Sequence, residues 1–191
     1  MVMRLALLVV MVLLVAGSVV AAGPGQCQSK QDQTQIGQDE EQLASTRLSL
    51  KRLTHAVDLW HDANLKGDRT AVTKCERALK DLIKTDIDIT QAQIARLDRE
   101  AAQSALQFKH GDRSWSESAE NHADYVDDRS DLGEAKQLFG AKKRLANTWS
   151  KSDAFSNKYR LVNDYLDVLR RQAGLQRMEL AEDIEELDED R

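Results

Sequence analysis

Histidines, cysteines and acidic runs are the residues here whose chemistry could define a site, so their spacing is the first question. A helical bundle that holds metal ions with carboxylates and imidazoles uses Glu-x-x-His on two of its helices. His55, His110 and His122 have no Glu three residues earlier, and His61 has only Asp58 there. His55 and His61 are six positions apart, so on one helix they leave by different faces. The His-Glu-x-x-His zinc pattern and the Cys-x-x-Cys-His haem attachment pattern are both missing. Haem held without covalent attachment could use a pair such as Met178 and His122, but nothing in the spacing selects them. Asp127, Asp128 and Asp131 form an acidic cluster without the glycine and the ligand ladder of an EF-hand. The run from Glu182 to Asp190 is read as a solvated face able to attract cations or a basic partner.

Nucleophilic chemistry has no better footing. The chain has no Gly-x-Ser-x-Gly, no glycine-rich phosphate loop and no thiol-redox pair. An enzyme also needs a concave, partly dry site, which thin helical stripes rarely supply. No catalytic, cofactor-binding or metal-binding residue is therefore expected, and the protein is expected not to be an enzyme.

The two cysteines, Cys27 and Cys75, bear on compartment and covalent structure. Arg4 is followed by the apolar run "LALLVVMVLLVA" and then by small residues, the build of a secretory signal. Val20-Ala21-Ala22 predicts cleavage after Ala22, making residues 1–22 a signal peptide and the mature chain periplasmic or secreted. The alternative is an uncleaved anchor, since Leu5 to Ala22 is close to the ~18-residue spanning limit. Gln26 directly before Cys27 breaks the pattern of a lipid-modified cysteine. In an exported chain a Cys27–Cys75 disulfide is a natural candidate. If the first helix starts near Ile36, however, Cys75 lies opposite about residue 60, roughly 36 Å from that start. The tail from Cys27 spans at most about 30 Å. An internal bridge then needs the first helical turns unwound, and a bridge between two chains is its rival.

The elements that would carry these residues are helical. The 191 residues contain a single Pro, 5% aromatics and 31% charged residues, a composition that favours long helices over a thick globular core. The net charge of −5, without a long Lys/Arg cluster, argues against nucleic acid as a partner. Residues 23–35, rich in Gly and Gln, lack an apolar period and are read as a flexible leader. From Ile36 a seam begins: Ile36, Leu43, Leu50 and Val57 recur every seven positions, with Leu53 and Trp60 between them. It stops at Lys66-Gly67-Asp68, where Gly67 can end one helix and Asp68 cap the next. The second helix carries Val72, Cys75, Leu79, Leu82, Asp86, Thr90, Ile94, Leu97, Ala101 and Phe108 along one face. Gly111 is expected to close it, with Asp112 or Ser114 capping the third. The third helix is apolar-poor before Leu138, and Asp131, Gly133 and Glu134 predict a break near 130–133. A turn at 150–154, capped by Asp153, leads to the fourth helix, where residues from Phe155 to Leu187 keep three-four spacing.

Short turns force neighbours antiparallel, so residues 36–190 predict an all-α domain of long antiparallel hairpins. The hairpins close into an up-down four-helix bundle or extend into a coiled coil that buries its seams by dimerising. In the bundle, Trp60, Trp149, Phe155 and Tyr159 meet at one end, Phe108 and Trp115 lie at the other, and the middle is aliphatic. The functional expectation is an exported, non-enzymatic helical protein acting by protein–protein interaction or self-association, as an envelope scaffold or adaptor. It would touch the membrane only through its signal segment. A periplasmic metal-sensing or chaperone-like hairpin is the second expectation, and a bundle for haem or another small ligand the third.

Overall fold

In the computed structural model, which describes residues 24–110 and 115–189, the chain is all-α. Four helices follow one another: α1 (Pro24–Leu65), α2 (Arg69–His110), α3 (Trp115–Lys151) and α4 (Phe155–Glu189). Helices consecutive in the chain pack on one another, and α1 also packs on α4, which closes the bundle and puts α2 and α4 across its diagonal. This is the up-down bundle rather than the open hairpin pair. At 1.5 Å per residue the 42-residue α1 and α2 are rods of about 60 Å. No helix among the described residues is long and apolar enough to cross a membrane. The signal segment 1–22, with its cut after Ala22, lies outside the described residues. So do the turn expected at Gly111, Asp112 and Ser114 and the side chains of Cys27, His110 and Trp115.

The Lys-Gly-Asp interruption is a hairpin turn. Gly67 takes φ 71°, the left-handed region. Its N–H donates to Asn64 O at 3.0 Å, and the Asp68 N–H donates to Ala63 O at 3.0 Å. These paired bonds satisfy the last carbonyls of α1 in a Schellman motif. Asp68 Oδ1 then accepts the Ala71 N–H at 2.9 Å, capping α2. Gly67→Ala is expected to cost about 1 kcal/mol, because only glycine enters this region without a Cβ penalty. Urea unfolding measures it; an unchanged midpoint would mean that the turn relaxes freely.

The second sequence-predicted cap is made differently. Ser152 N–H donates to Trp149 O (3.2 Å) and Lys158 N–H to Ala154 O (3.0 Å), so Ala154 rather than Asp153 opens α4. Two further expectations are corrected. α1 begins at Pro24, so from there the stretch 23–35 is helix, not a flexible leader. Pro is well suited to a first helical turn, and Gln is a good helix former. α3 also runs unbroken through 130–133. Polar and aromatic links to α2 replace the missing apolar contacts: Lys136 bonds Asp98 at 2.7 Å, and Asp128 accepts from Ser104. Tyr125 stacks on Phe108 with centroids 5.8 Å apart. A Cβ built on Gly133 meets nothing within 4 Å. Gly133→Ala should therefore stabilise the protein by about 0.5–1 kcal/mol, measured by urea unfolding. A real break at this position would make the same change neutral or harmful.

The apolar core is concentrated toward the end shared by the first and third turns. Trp60 is fully buried, with ring centroids 4.6 Å from Phe155, 6.3 Å from Tyr159 and 6.4 Å from Trp149. The expected aromatic end is thus present. Beneath it lie Leu53, Val57, Leu79, Ile83, Leu161, Val162, Leu166 and Leu169. At the opposite end Phe108 stays 41% exposed.

Candidate functional site

The middle of the bundle is not aliphatic. Where the apolar core ends, side chains on the inward seams of all four helices become polar, and they do so at seam positions. Asp39 and Thr46 continue the spacing of Leu53 and Trp60 on α1, and both are buried. Asp86 and Thr90 occupy the stripe of α2, Lys142 lies between Leu138 and Leu145 on α3, and Gln172 and Gln176 follow Leu169 on α4; all are buried.

The first polar layer is a closed network. Lys142 Nζ pairs with Asp86 Oδ2 at 2.8 Å and donates to Thr90 Oγ1 at 2.8 Å. The Tyr165 hydroxyl, reaching across the diagonal from α4, donates to the same Asp86 oxygen at 2.7 Å. Thr90 Oγ1 in turn donates to Asp86 O at 2.9 Å. Burial pushes the Lys142 ammonium below the usual lysine range, and the adjacent Asp86 carboxylate works against that shift. The Tyr165 phenol is held far above its ordinary range, by burial first and then by the Asp86 charge. The network is satisfied within itself and ties α2, α3 and α4 into one register.

The next layer is not closed. Gln172 Nε2 donates to Gln93 Oε1 at 3.0 Å, again across the diagonal. Gln172 Oε1 and Gln176 Oε1 are buried without a hydrogen-bond partner. Buried polar atoms are almost always paired, because an unpaired one costs about 1–3 kcal/mol. These two amides border a cavity of about 200 Å³. Gln42 of α1 and Thr90, Gln93, Ile94 and Leu97 of α2 contribute to its walls, together with residues of α3 and α4. The small side chains of Ser130 and Ala135 on α3 leave the space that longer residues would fill. The mouth is acidic: Asp131 and Glu134 on α3 and Glu179 and Glu182 on α4 all line the cavity.

Below the cavity, Arg96 pairs with Asp39 at 2.6 Å and also bonds Gln38 at 3.0 Å. The second Asp39 oxygen is buried without a partner. Burial pushes the Glu179 carboxyl up to about 8, helped by the charges of Asp39, Asp131 and Asp183, with Arg96 opposing. Asp131 is pushed up to about 6 by desolvation and by Asp128, Asp127, Glu134 and Glu182. The cavity therefore presents acceptors, with Glu179 and Asp131 held toward their protonated forms by burial and by neighbouring carboxylates.

This site corrects the expectation that thin stripes leave no concave place. Helices that close on one another bury their polar seam positions as well as their apolar ones. The residues first singled out for chemistry contribute unevenly. Asp131 and Glu182, from the two acidic runs, line the cavity mouth. His55 is exposed, His61 packs 4.9 Å from the Tyr159 ring at the aromatic end, and His122 lies 5.2 Å from Phe108. Met178, 61% exposed, borders the cavity mouth between α3 and α4, whereas His122 packs on the α2–α3 face. No group of three His, Cys, Asp or Glu among the described residues is placed to hold a metal ion. Cys75 is a free thiol against the apolar core. With α1 helical from Pro24, residue 27 lies about 50 Å along the bundle from the level of Cys75, so an internal bridge would need α1 to unwind much further than the sequence suggested.

Fold and site together define an antiparallel four-helix bundle with a polar interior and an acidic cavity. No family model, curated protein or solved structure matches the chain.

Proposed function

We propose that the protein is an exported, non-enzymatic binding protein that takes a small polar ligand into the cavity between α3 and α4. The observation that carries this reading is the pair of buried, unpartnered amide oxygens of Gln172 and Gln176 beside a 200 Å³ cavity. A ligand that donates hydrogen bonds there removes an otherwise uncompensated desolvation cost. The cavity lining contains no histidine, cysteine or lysine; its polar groups are carboxyls, amides and the hydroxyls of Thr90 and Ser130. Export is supported by Arg4, the apolar run after it and Val20-Ala21-Ala22.

Native mass spectrometry of protein purified from its host envelope tests both parts. The expected chain begins at Gly23 and carries a small-molecule adduct that is released on unfolding. A chain retaining Met1 would remove the export reading by cleavage. A bare chain that no member of a small polar library stabilises thermally would remove the binding reading.

Action through a protein partner is a second reading, favoured by the exposed Leu106, Phe108 and Val126 at the α2–α3 end. The seam that first suggested it is used inside the chain, because α1 packs on both α2 and α4. Sedimentation with crosslinking separates the readings: a strict monomer with no captured partner leaves only the ligand.

A further inference from the structure

We infer that the cavity takes a short aliphatic organic cation, an ammonium or guanidinium whose N–H groups donate to Gln172 Oε1 and Gln176 Oε1. The inference rests on the binding reading above and adds the chemical class of the ligand.

The carboxyl lining gives the sign of the charge. Gln172 and Gln176 each leave one buried amide atom unpartnered, and an amide can present its oxygen to a donor, so they call for a polar ligand and accept a cationic one. Asp131, Glu134, Glu179 and Glu182 line the same space, and neither Lys nor Arg does. An anion would meet these carboxyls with no countercharge. A neutral ligand could satisfy the amides but would leave the carboxyls crowded, with no cation among them. A cation satisfies both. A bare metal ion is the poorer fit, since no three carboxylates among the described residues converge at ligand distance. The charge should sit on a longer molecule instead.

Lining and size give the rest. Ile94, Leu97, Leu138 and Leu175 supply apolar wall between the amides and the mouth, which suits a methylene chain. A cavity of 150 Å³ accepts benzene. The 200 Å³ here suits a molecule of about eight to ten non-hydrogen atoms. A diamine of that length would place one ammonium at Gln172 and Gln176 and the other among Asp131, Glu179 and Glu182 at the mouth.

Protons accompany such a ligand. Glu179 is faced by Asp39 of α1, Arg96 of α2 and Asp131 of α3, and by Asp183 on its own helix. Asp131 is faced by Glu182 of α4, with Asp127, Asp128 and Glu134 on its own helix. An incoming cation supplies the countercharge these carboxyls lack, so it binds the ionised forms and expels protons. Affinity should rise with pH as Glu179 and Asp131 ionise, by about tenfold or more between pH 6 and pH 8.

Isothermal titration of the full mature chain with 1,7-diaminoheptane, 1,7-heptanediol and heptanedioate decides the matter. The expected result is binding of the diamine alone, with proton release seen as a dependence of the heat on buffer ionisation enthalpy. Glu179→Gln should weaken the diamine about tenfold and flatten its pH dependence. Because that variant is expected to be the more stable fold at pH 8, its loss of affinity cannot be ascribed to unfolding. Gln176→Met, which keeps helix and volume but removes the acceptor, and Ala135→Leu, which fills the space, should each weaken binding at least tenfold. Diamine binding that none of these three changes affects would place the ligand on the outer acidic surface and overturn the inference. Binding of the diol or the diacid in place of the diamine would overturn the cation while keeping the cavity as a ligand site. No binding by any of the three, on a chain that also carries no native adduct, would remove the cation and the binding reading together.

Discussion

Lys142→Met is expected to cost about 3–5 kcal/mol, the largest loss from any single substitution considered for this protein. Lys142 is 0% exposed, and among the described residues its ammonium is the only cation within bonding distance of Asp86. Its removal strands a carboxylate that is itself 3% exposed, with only the Tyr165 hydroxyl left to satisfy it. The triple change Asp86→Leu, Lys142→Met, Tyr165→Phe should behave quite differently. It removes the charges and the hydroxyl together, and replacing a whole buried ion pair by apolar groups is often neutral or stabilising by 1–4 kcal/mol. Thr90 keeps a partner in either variant, because its hydroxyl donates to the Asp86 main chain. Urea unfolding of the single and triple variants measures the contrast. A single variant within about 1 kcal/mol of the native protein would mean that water reaches Asp86, and the layer would not be dry.

The same comparison bears on why the layer exists. The pair contributes little net stability once desolvation is counted, but it links α2, α3 and α4 at one height. Uniform leucine stripes allow helices to slide by a turn; a charge that must meet its partner does not. The triple variant is expected to keep its helicity and lose sharp side-chain dispersion in its NMR spectrum. Native-like dispersion would show that apolar packing alone sets the register.

Stability should fall as pH rises from 5 to 8.5, opposite to the course expected of a protein held together by ionised carboxylates. Glu179 titrates near 8 in the folded chain and at about its ordinary 4.5 when unfolded. Between those values the folded chain holds a proton that the unfolded chain has released. The stabilisation from this group is therefore complete below about pH 4.5 and is lost as pH rises through about 8. The loss is about 2–4 kcal/mol, or about 5–10 °C in Tm for a chain of this size. Asp131, near 6, acts in the same direction over the lower part of the range. Glu179→Gln should flatten the profile and raise the Tm at pH 8. An unchanged slope in that variant would assign the titration to another group. A bound cation should flatten it too, by holding the carboxylate ionised at no cost.

Several features of this molecule are legible in its sequence. Trp60, Trp149, Phe155 and Tyr159 could be placed together because short turns leave only one antiparallel arrangement that brings them to one end. Gly67 and Asp68 could be read as a stop and a start because few residues tolerate a left-handed backbone or accept a helix N–H. Asp86 and Thr90 were also visible on the apolar face of α2, and Lys142 and Gln176 stand at seam positions of their helices. The signal for the polar layer was thus present in each strip of sequence, as a polar residue where the period calls for an apolar one. What a single strip cannot say is whether such a residue meets a partner. Asp86 and Lys142 are 56 positions apart, on helices whose relative height depends on a turn that local pattern only roughly places.

Local chemistry, then, determined the elements: periodicity, capping residues and the near absence of Pro are properties of neighbouring residues, and they dictate four rods and their antiparallel order. Tertiary packing alone decided the interior. Whether a polar seam residue becomes half of an ion pair, an unpaired amide or a charge at a cavity mouth depends on which helix faces it and at what height. Closure of α1 against α4 excluded water from all the seams at once, and the small residues of α3 left the space that made a cavity among them.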